Sequence, residues 1–175
     1  PVYYIQYLQS IIKILRCVCF KCSKLKISKE TYSNALNYDG DARWKYIFPI
    51  ASAVKRCGDE IDCGCGCVQP RKIQKEGLAT IVAEWKQEDG EAITIKLTPE
   101  MVLKIFKRIS DEDVAFMGFS PKWSRPDWMI CQVLAVPPPA VRPSVKHDAQ
   151  QRSEDDLTHI YCNIIKTNKT LQEKI

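Results

Sequence analysis

No run of about 18 uncharged apolar residues occurs, because Lys13, Arg16 or Pro137 breaks each of the longest apolar stretches; a membrane-spanning helix is therefore excluded. Glycine is scarce, at 7 of 175 residues, and aromatic side chains make up 9%, so neither a collagen-like nor a disordered chain fits. Histidine occurs only as His147 and His159, at no spacing that binds a metal or activates a nucleophile. There is no Gly-x-x-x-x-Gly-Lys-Ser/Thr, no Gly-x-Gly-x-x-Gly and no Gly-x-Ser-x-Gly, which removes the usual phosphate cradles and the nucleophile elbow. Asp155 and Asp156 stand at a predicted helix start and read as caps, not as a Mg²⁺ site. There is no internal repeat and no low-complexity tract. A chain opening at Pro1 without a basic, leader-like segment reads as a piece of something longer. By its chemistry alone, this segment catalyses nothing.

What is present fits one domain with one core: 20.1 kDa, 45% hydrophobic, 27% charged, mean hydropathy −0.25. Against that background nine cysteines stand out, seven of them ahead of residue 68: Cys17, Cys19, Cys22, Cys57, Cys63, Cys65 and Cys67. An odd total without a secretory leader argues against a disulfide framework. Cys19-Phe-Lys-Cys22 has the gap that lets two thiolates reach one tetrahedral Zn²⁺ at about 2.3 Å. The second pair must come from the run Cys57 to Cys67, where Gly64 and Gly66 suit a sharply turning knuckle. Spacing alone does not say which of these cysteines are the other ligands. Cys131 and Cys162 read as small core residues.

Charge is uneven: residues 1–75 carry a net +7 and residues 76–175 a net −2. The excess gathers near the cysteines, at Lys13, Arg16, Lys21, Lys24, Lys26, Lys29, Arg71, Lys72 and Lys75, a basic face suited to phosphates.

Apolar periodicity predicts a helix over 2–16 and a weaker one over 32–55, interrupted near Pro49. Leu78–Trp85 and Ala92–Leu97 read as a β-hairpin turning at Gln87-Glu-Asp-Gly90. Thr98-Pro99-Glu100 opens a helix that buries Val102, Ile105, Phe106 and Ile109. Ser110 to Asp113 reads as a capping box for a shorter helix stopped by Gly118. Trp128–Val136 reads as a strand ended by Pro137-Pro-Pro139, residues 144–153 as a polar loop, and Ser153-Glu-Asp-Asp156 as the cap of a last helix. Apolar faces on the first and last helices are expected to meet neighbours outside the segment. The fold class is α+β, zinc-stabilised, with a small antiparallel sheet. Its parts are helices and zinc site over 1–70, hairpin, helices and Pro-rich strand end over 71–143, a loop over 144–153 and a helix over 154–175.

Six stretches, in order, resemble one family: Arg16-Cys-Val-Cys-Phe-Lys-Cys22, Cys65-Gly-Cys-Val-Gln-Pro70, Phe106-Lys-Arg-Ile-Ser-Asp-Glu-Asp113, Ser124-Arg-Pro-Asp-Trp-Met-Ile130, Val136-Pro-Pro-Pro-Ala-Val-Arg-Pro-Ser144 and Glu154-Asp-Asp-Leu-Thr-His159. Together they look like the N-terminal part of the largest subunit of DNA-directed RNA polymerases of the RNA polymerase II type. The resemblance implies clamp-core material, a mobile jaw over DNA, within a nucleotidyltransferase. It implies a structural Zn²⁺ on Cys19, Cys22, Cys57 and Cys65. The extra Cys63 and Cys67 and the short stretch from Cys57 to Cys65 depart from the family pattern and leave the second pair open to a substitute. The family's catalytic Mg²⁺ aspartates lie beyond residue 175.

The loop after Val141-Arg-Pro-Ser144 resembles the lid that parts nascent RNA from the template, with Lys146, His147 and Arg152 placed to meet phosphates. The implied partners are template DNA, nascent RNA and the other polymerase subunits, the second-largest above all, and no membrane. The compact zinc spacer and Asn163-Ile-Ile-Lys-Thr-Asn168 look more like polymerases of large DNA viruses. The expected location is the nucleus for a cellular enzyme and the virion or host cytoplasm or nucleus for a viral one. The alternative from another class is a free-standing zinc module that binds nucleic acid or protein.

Overall fold

The computed structural model describes residues 1–86 and 90–175, which form two compact units, Pro1–Gln132 and Val133–Ile175. Helices combine with small antiparallel sheets, the α+β class expected from the sequence.

In the first unit, β1 (Val2–Tyr3) and a 3₁₀ turn precede α1 (Leu8–Leu15). The helix thus starts later than its apolar period suggests. Leu8, Ile11, Ile12 and Leu15 recur at helical spacing and are buried, whereas Val2 and Ile5 stay exposed. The apolar face of this helix is therefore covered within the unit, contrary to the expectation that it awaits a neighbour. α2 (Gly40–Ala53) runs through Pro49 without interruption, with Ile47 and Ala51 buried on either side of the proline. Those two anchors offset the N–H that proline lacks.

A three-stranded sheet follows: β2 (Lys72–Glu76), β3 (Thr80–Lys86) and β4 (Ala92–Leu97), in that order. The β3–β4 pair is the predicted hairpin; of its expected turn only Gly90, at φ 86°, lies within the described residues. β2 was not expected, because Lys-Ile-Gln-Lys-Glu offers one apolar residue and no alternation to read. Pairing Ile73 with Ala83 and Ile81 with Leu97 sets all four side chains on one face, and all four are buried with α1 in the core. Full burial of each large apolar side chain is worth about 1.5–3 kcal/mol. Two polar ties fix the layers: Arg16 Nη2 donates to the Ile73 carbonyl at 2.6 Å, and the Tyr3 hydroxyl donates to the Leu97 carbonyl at 2.9 Å.

α3 (Pro99–Lys107) begins as its sequence requires. Thr98 Oγ1 accepts the Met101 amide at 3.3 Å, Pro99 takes the first position, and Glu100 faces the positive end of the helix. It buries Val102, Leu103, Ile105 and Phe106. α4 (Asp111–Phe116) has half of the expected capping box: Ser110 Oγ accepts the Asp113 amide at 3.2 Å. The Asp113 carboxylate does not return the bond; it accepts from the Leu25 amide at 3.1 Å and pairs with Lys29 at 2.7 Å. Gly118, at φ 95°, ends the helix where a Cβ would lie 2.3 Å from the Gly40 carbonyl oxygen.

The strand expected over Trp128–Val136 shrinks to β5 (Ile130–Cys131), paired with β1. Ahead of it Pro126–Met129 is a 3₁₀ turn, held by Arg125, which donates to Asp127 at 2.8 Å, to Asp111 and to the Ile109 carbonyl at 3.0 Å. These charge-assisted bonds outweigh the weak strand preference of the segment. Cys131 is buried, as expected.

In the second unit β6 (Val145–Asp148) and β7 (Gln151–Ser153) form an exposed hairpin where a loop was expected. α5 (Asp156–Gln172) follows, capped by Asp155, whose carboxylate accepts the Leu157 amide at 3.3 Å, rather than by Ser153. Arg142 ties the flanks of the hairpin together, donating to the Pro137 carbonyl and to Thr158 Oγ1, each at 3.1 Å. Cys162 is exposed on α5 and is not a core residue.

Candidate metal centre

Two short hairpins of the first unit present the cysteines. The first follows α1 directly. Val18 bridges to Leu25, the Cys19 amide donates to the Lys24 carbonyl at 2.9 Å, and the Ser23 amide donates to the Cys19 carbonyl at 2.9 Å. Closing so tight a turn places Ser23 at φ 61°, and its buried hydroxyl meets no partner among the described residues. The second hairpin follows α2. Arg56 bridges to Val68, the Cys57 amide donates to the Cys67 carbonyl at 2.9 Å, and the Gly66 amide donates to the Cys57 carbonyl at 2.8 Å. Its limbs cross so closely that a Cβ on Gly64 would fall 2.2 Å from the Gly58 Cα. Glycine there is a steric requirement.

The sulfurs of Cys19, Cys22, Cys57 and Cys65 all lie within 4.8 Å of one another. Cys19 and Cys65 are 3.5 Å apart and Cys22 and Cys57 3.6 Å. Sulfurs on a tetrahedral Zn²⁺ with 2.3 Å bonds would stand about 3.8 Å apart. None of the four is in a disulfide. Geometry and donor type therefore both fit a closed, structural Zn²⁺ site. Cys17, Cys63 and Cys67 lie outside the group: Cys17 is buried, Cys63 is exposed, and the Cys67 thiol points to the Val68 carbonyl at 3.5 Å.

The four thiols are not equivalent. Burial opposes ionisation of Cys19, yet the amides of Cys22 and Lys21, with the thiols of Cys65 and Cys22, bring it down to about 7. Burial pushes Cys57 up to about 12 and also raises Cys22. Without a cation Cys22 and Cys57 favour their protons, and a bound divalent ion would displace them.

Two further residues belong to this site. Lys26 is 3% exposed and donates to the Val54 carbonyl at 2.8 Å. Burial lowers its pKa, opposed by charge at Cys17, Cys19 and Cys57, so it supplies a buried cation beside the tetrad. Gln69 bonds the Cys19 sulfur directly. In the sequence Lys26 is one basic residue among many; Gln69, in the quoted run ending at Pro70, gives no sign of its sulfur contact.

The basic face is smaller than its charge count implies. Arg16, Lys24, Lys26 and Lys29 are engaged within the unit, and Lys13 lies 5.7 Å from the centroid of the Phe48 ring. Lys21, Arg71, Lys72 and Lys75 remain exposed.

The family model of RNA polymerase Rpb1, domain 1, matches residues 1–175. The chain belongs to this family. The Rpb1 family is that of the largest subunit of DNA-directed RNA polymerase, a nucleotidyltransferase whose subunits work with DNA, RNA and one another. The six ordered motifs in the sequence thus point to the family that the whole length matches. The exposed nucleic-acid candidates, Lys146, His147 and Arg152, lie in the second unit on the β6–β7 hairpin.

Proposed function

We propose that this Rpb1 domain 1 chain supplies a zinc-stabilised clamp segment and a lid-like wedge that parts nascent RNA from template DNA, with the Mg²⁺ chemistry carried elsewhere in the subunit. The observation that carries the reading is the charge pairing across the exposed hairpin. Lys146 and Arg152 are direct cross-strand partners, and the register shift between Lys146 and Asp148 sets His147 at the irregularity. Like charges directly opposite one another destabilise a hairpin. A phosphate between them turns that cost into a charge-assisted contact.

The flanks suit a wedge. Pro137-Pro-Pro139 is stiff, and Arg142 joins it to Thr158 at the start of α5, so the hairpin springs from a braced base. Bound Zn²⁺ would cross-link the two cysteine hairpins of the first unit through Cys19, Cys22, Cys57 and Cys65; its chemistry is structural. The role implies contact with the second-largest subunit, and action in the nucleus for a cellular enzyme or in the virion or host cell for a viral one.

The test is deletion of residues 146–152 in the whole polymerase. Dinucleotide synthesis stays intact while the RNA–DNA hybrid lengthens. Loss of dinucleotide synthesis, or a hybrid of unchanged length, contradicts the wedge.

A further inference from the structure

Gln69 touches both cysteine hairpins with one carboxamide. It is 6% exposed. Its Nε2 donates to the Cys19 sulfur at 3.2 Å and to the Cys67 carbonyl at 2.9 Å, while its Oε1 accepts the Phe20 amide at 3.0 Å. Because the Phe20 N–H can meet only an acceptor, the oxygen must face it, and the amide protons are left for sulfur and carbonyl. The Cys19 sulfur also accepts the Lys21 amide at 3.4 Å. Among the described residues, Cys19 is the one member of the tetrad bonded by a side chain other than a cysteine.

We propose that Gln69 is a positioning residue of the metal centre: its N–H···S bond drains charge from the Cys19 thiolate and locks that sulfur in place between the two hairpins. The inference rests on the reading of the four sulfurs as a metal site. A hydrogen bond to an ionised sulfur is charge-assisted, and partners behind a ligand set both its orientation and its donor strength. Neighbouring bonds reinforce the lock. The Gln69 backbone amide donates to the Lys55 carbonyl at 2.8 Å beside the Arg56–Val68 bridge, so the side chain projects from paired backbone rather than a loose end.

The experiment uses the unaltered whole chain loaded with ¹¹³Cd²⁺. A carboxamide proton of Gln69 is expected to show scalar coupling to the cadmium through the Cys19 sulfur. Cysteine β-protons that couple while the carboxamide does not would overturn the inference and leave the metal site standing. No cysteine coupling at all would overturn both. A second arm compares Co²⁺-loaded wild type with Gln69→Glu, which keeps the shape and the acceptor for Phe20 but replaces the donor to sulfur. Affinity should fall by about 10- to 100-fold, and the sulfur-to-cobalt charge-transfer band should move to lower energy. A band that stays in place while only thermal stability drops would mean that Gln69 merely packs, and would overturn the proposal.

Discussion

Phe106 and Ile164 are both apolar residues on helices, yet one is 0% exposed and the other 44%. The contrast runs through the molecule. Residues 1–132 bury α1, three strands and α3 around one apolar cluster, and two cysteine hairpins are stitched to it. In residues 133–175 no described side chain is buried, and Leu157, Ile160, Ile164, Ile165 and Leu171 all face out. The first unit is held by what it removes from water. The second is held by local devices: an aspartate cap, prolines and one bridging arginine. With Thr158, Ile160, Asn163, Ile164, Ile165, Thr167, Asn168 and Thr170 all of low helix propensity, α5 has little intrinsic stability when nothing packs on it. The two units should therefore respond differently to the same kind of damage.

The largest difference should come from the metal. A strong chelator, or Cys19→Ser, is expected to remove folding energy on the order of 10 kcal/mol from the first unit. Hydrogen exchange should report α1 and the cysteine hairpins opening while α5 keeps its protection unchanged. A first unit whose exchange is indifferent to the metal would end the comparison as drawn.

Phe106→Ala should cost about 4 kcal/mol in a denaturant titration. Ile164→Ala, already in solvent, should stay within about 0.5 kcal/mol. Similar costs would mean that α5 is packed in solution.

A third test uses alkali. Burial raises Cys17 from an ordinary 9.0 to about 12. Between those values the unfolded chain has lost a proton that the folded chain keeps. Stability is thus fully present below pH 9.0 and declines as pH rises toward 12, by at most about 1.4 kcal/mol per pH unit. Cys17→Ala should be less stable below pH 9.0 and show a shallower alkaline slope. Parallel slopes would assign the decline to other groups.

The smallest effect belongs to the second unit. Asp155→Ala should cost α5 about 1 kcal/mol of helix stability, seen by circular dichroism, and leave the first unit untouched.

Residues whose roles are local were readable from the sequence. Thr98 and Ser110 cap as their neighbours require, and Val102, Ile105 and Phe106 fall on the buried face because period and burial agree. The tetrad was readable through likeness to a family and not through spacing, which left the second pair open; folding places Cys57 and Cys65 with the first pair. Long-range contacts escaped. β2 exists because α1 and β3 recruit Ile73, and Asp113 abandons its box for Leu25 and Lys29. The β6–β7 hairpin has no apolar alternation to betray it. Gln69 and Lys26 escaped for the same reason: a polar side chain acquires such a role only from what folding brings beside it.

Lys26 also ties metal capture to the burial of charge. Four thiolates around a divalent cation carry two net negative charges, and a buried ammonium is tolerable against such a partner. Without the ion, Cys57 holds its proton, and Lys26 keeps the Val54 carbonyl and the acidic Cys19 thiol as its partners. Bound metal would offset the cost of burying Lys26, so closure of the Cys17–Lys26 turn and capture of the ion reinforce one another.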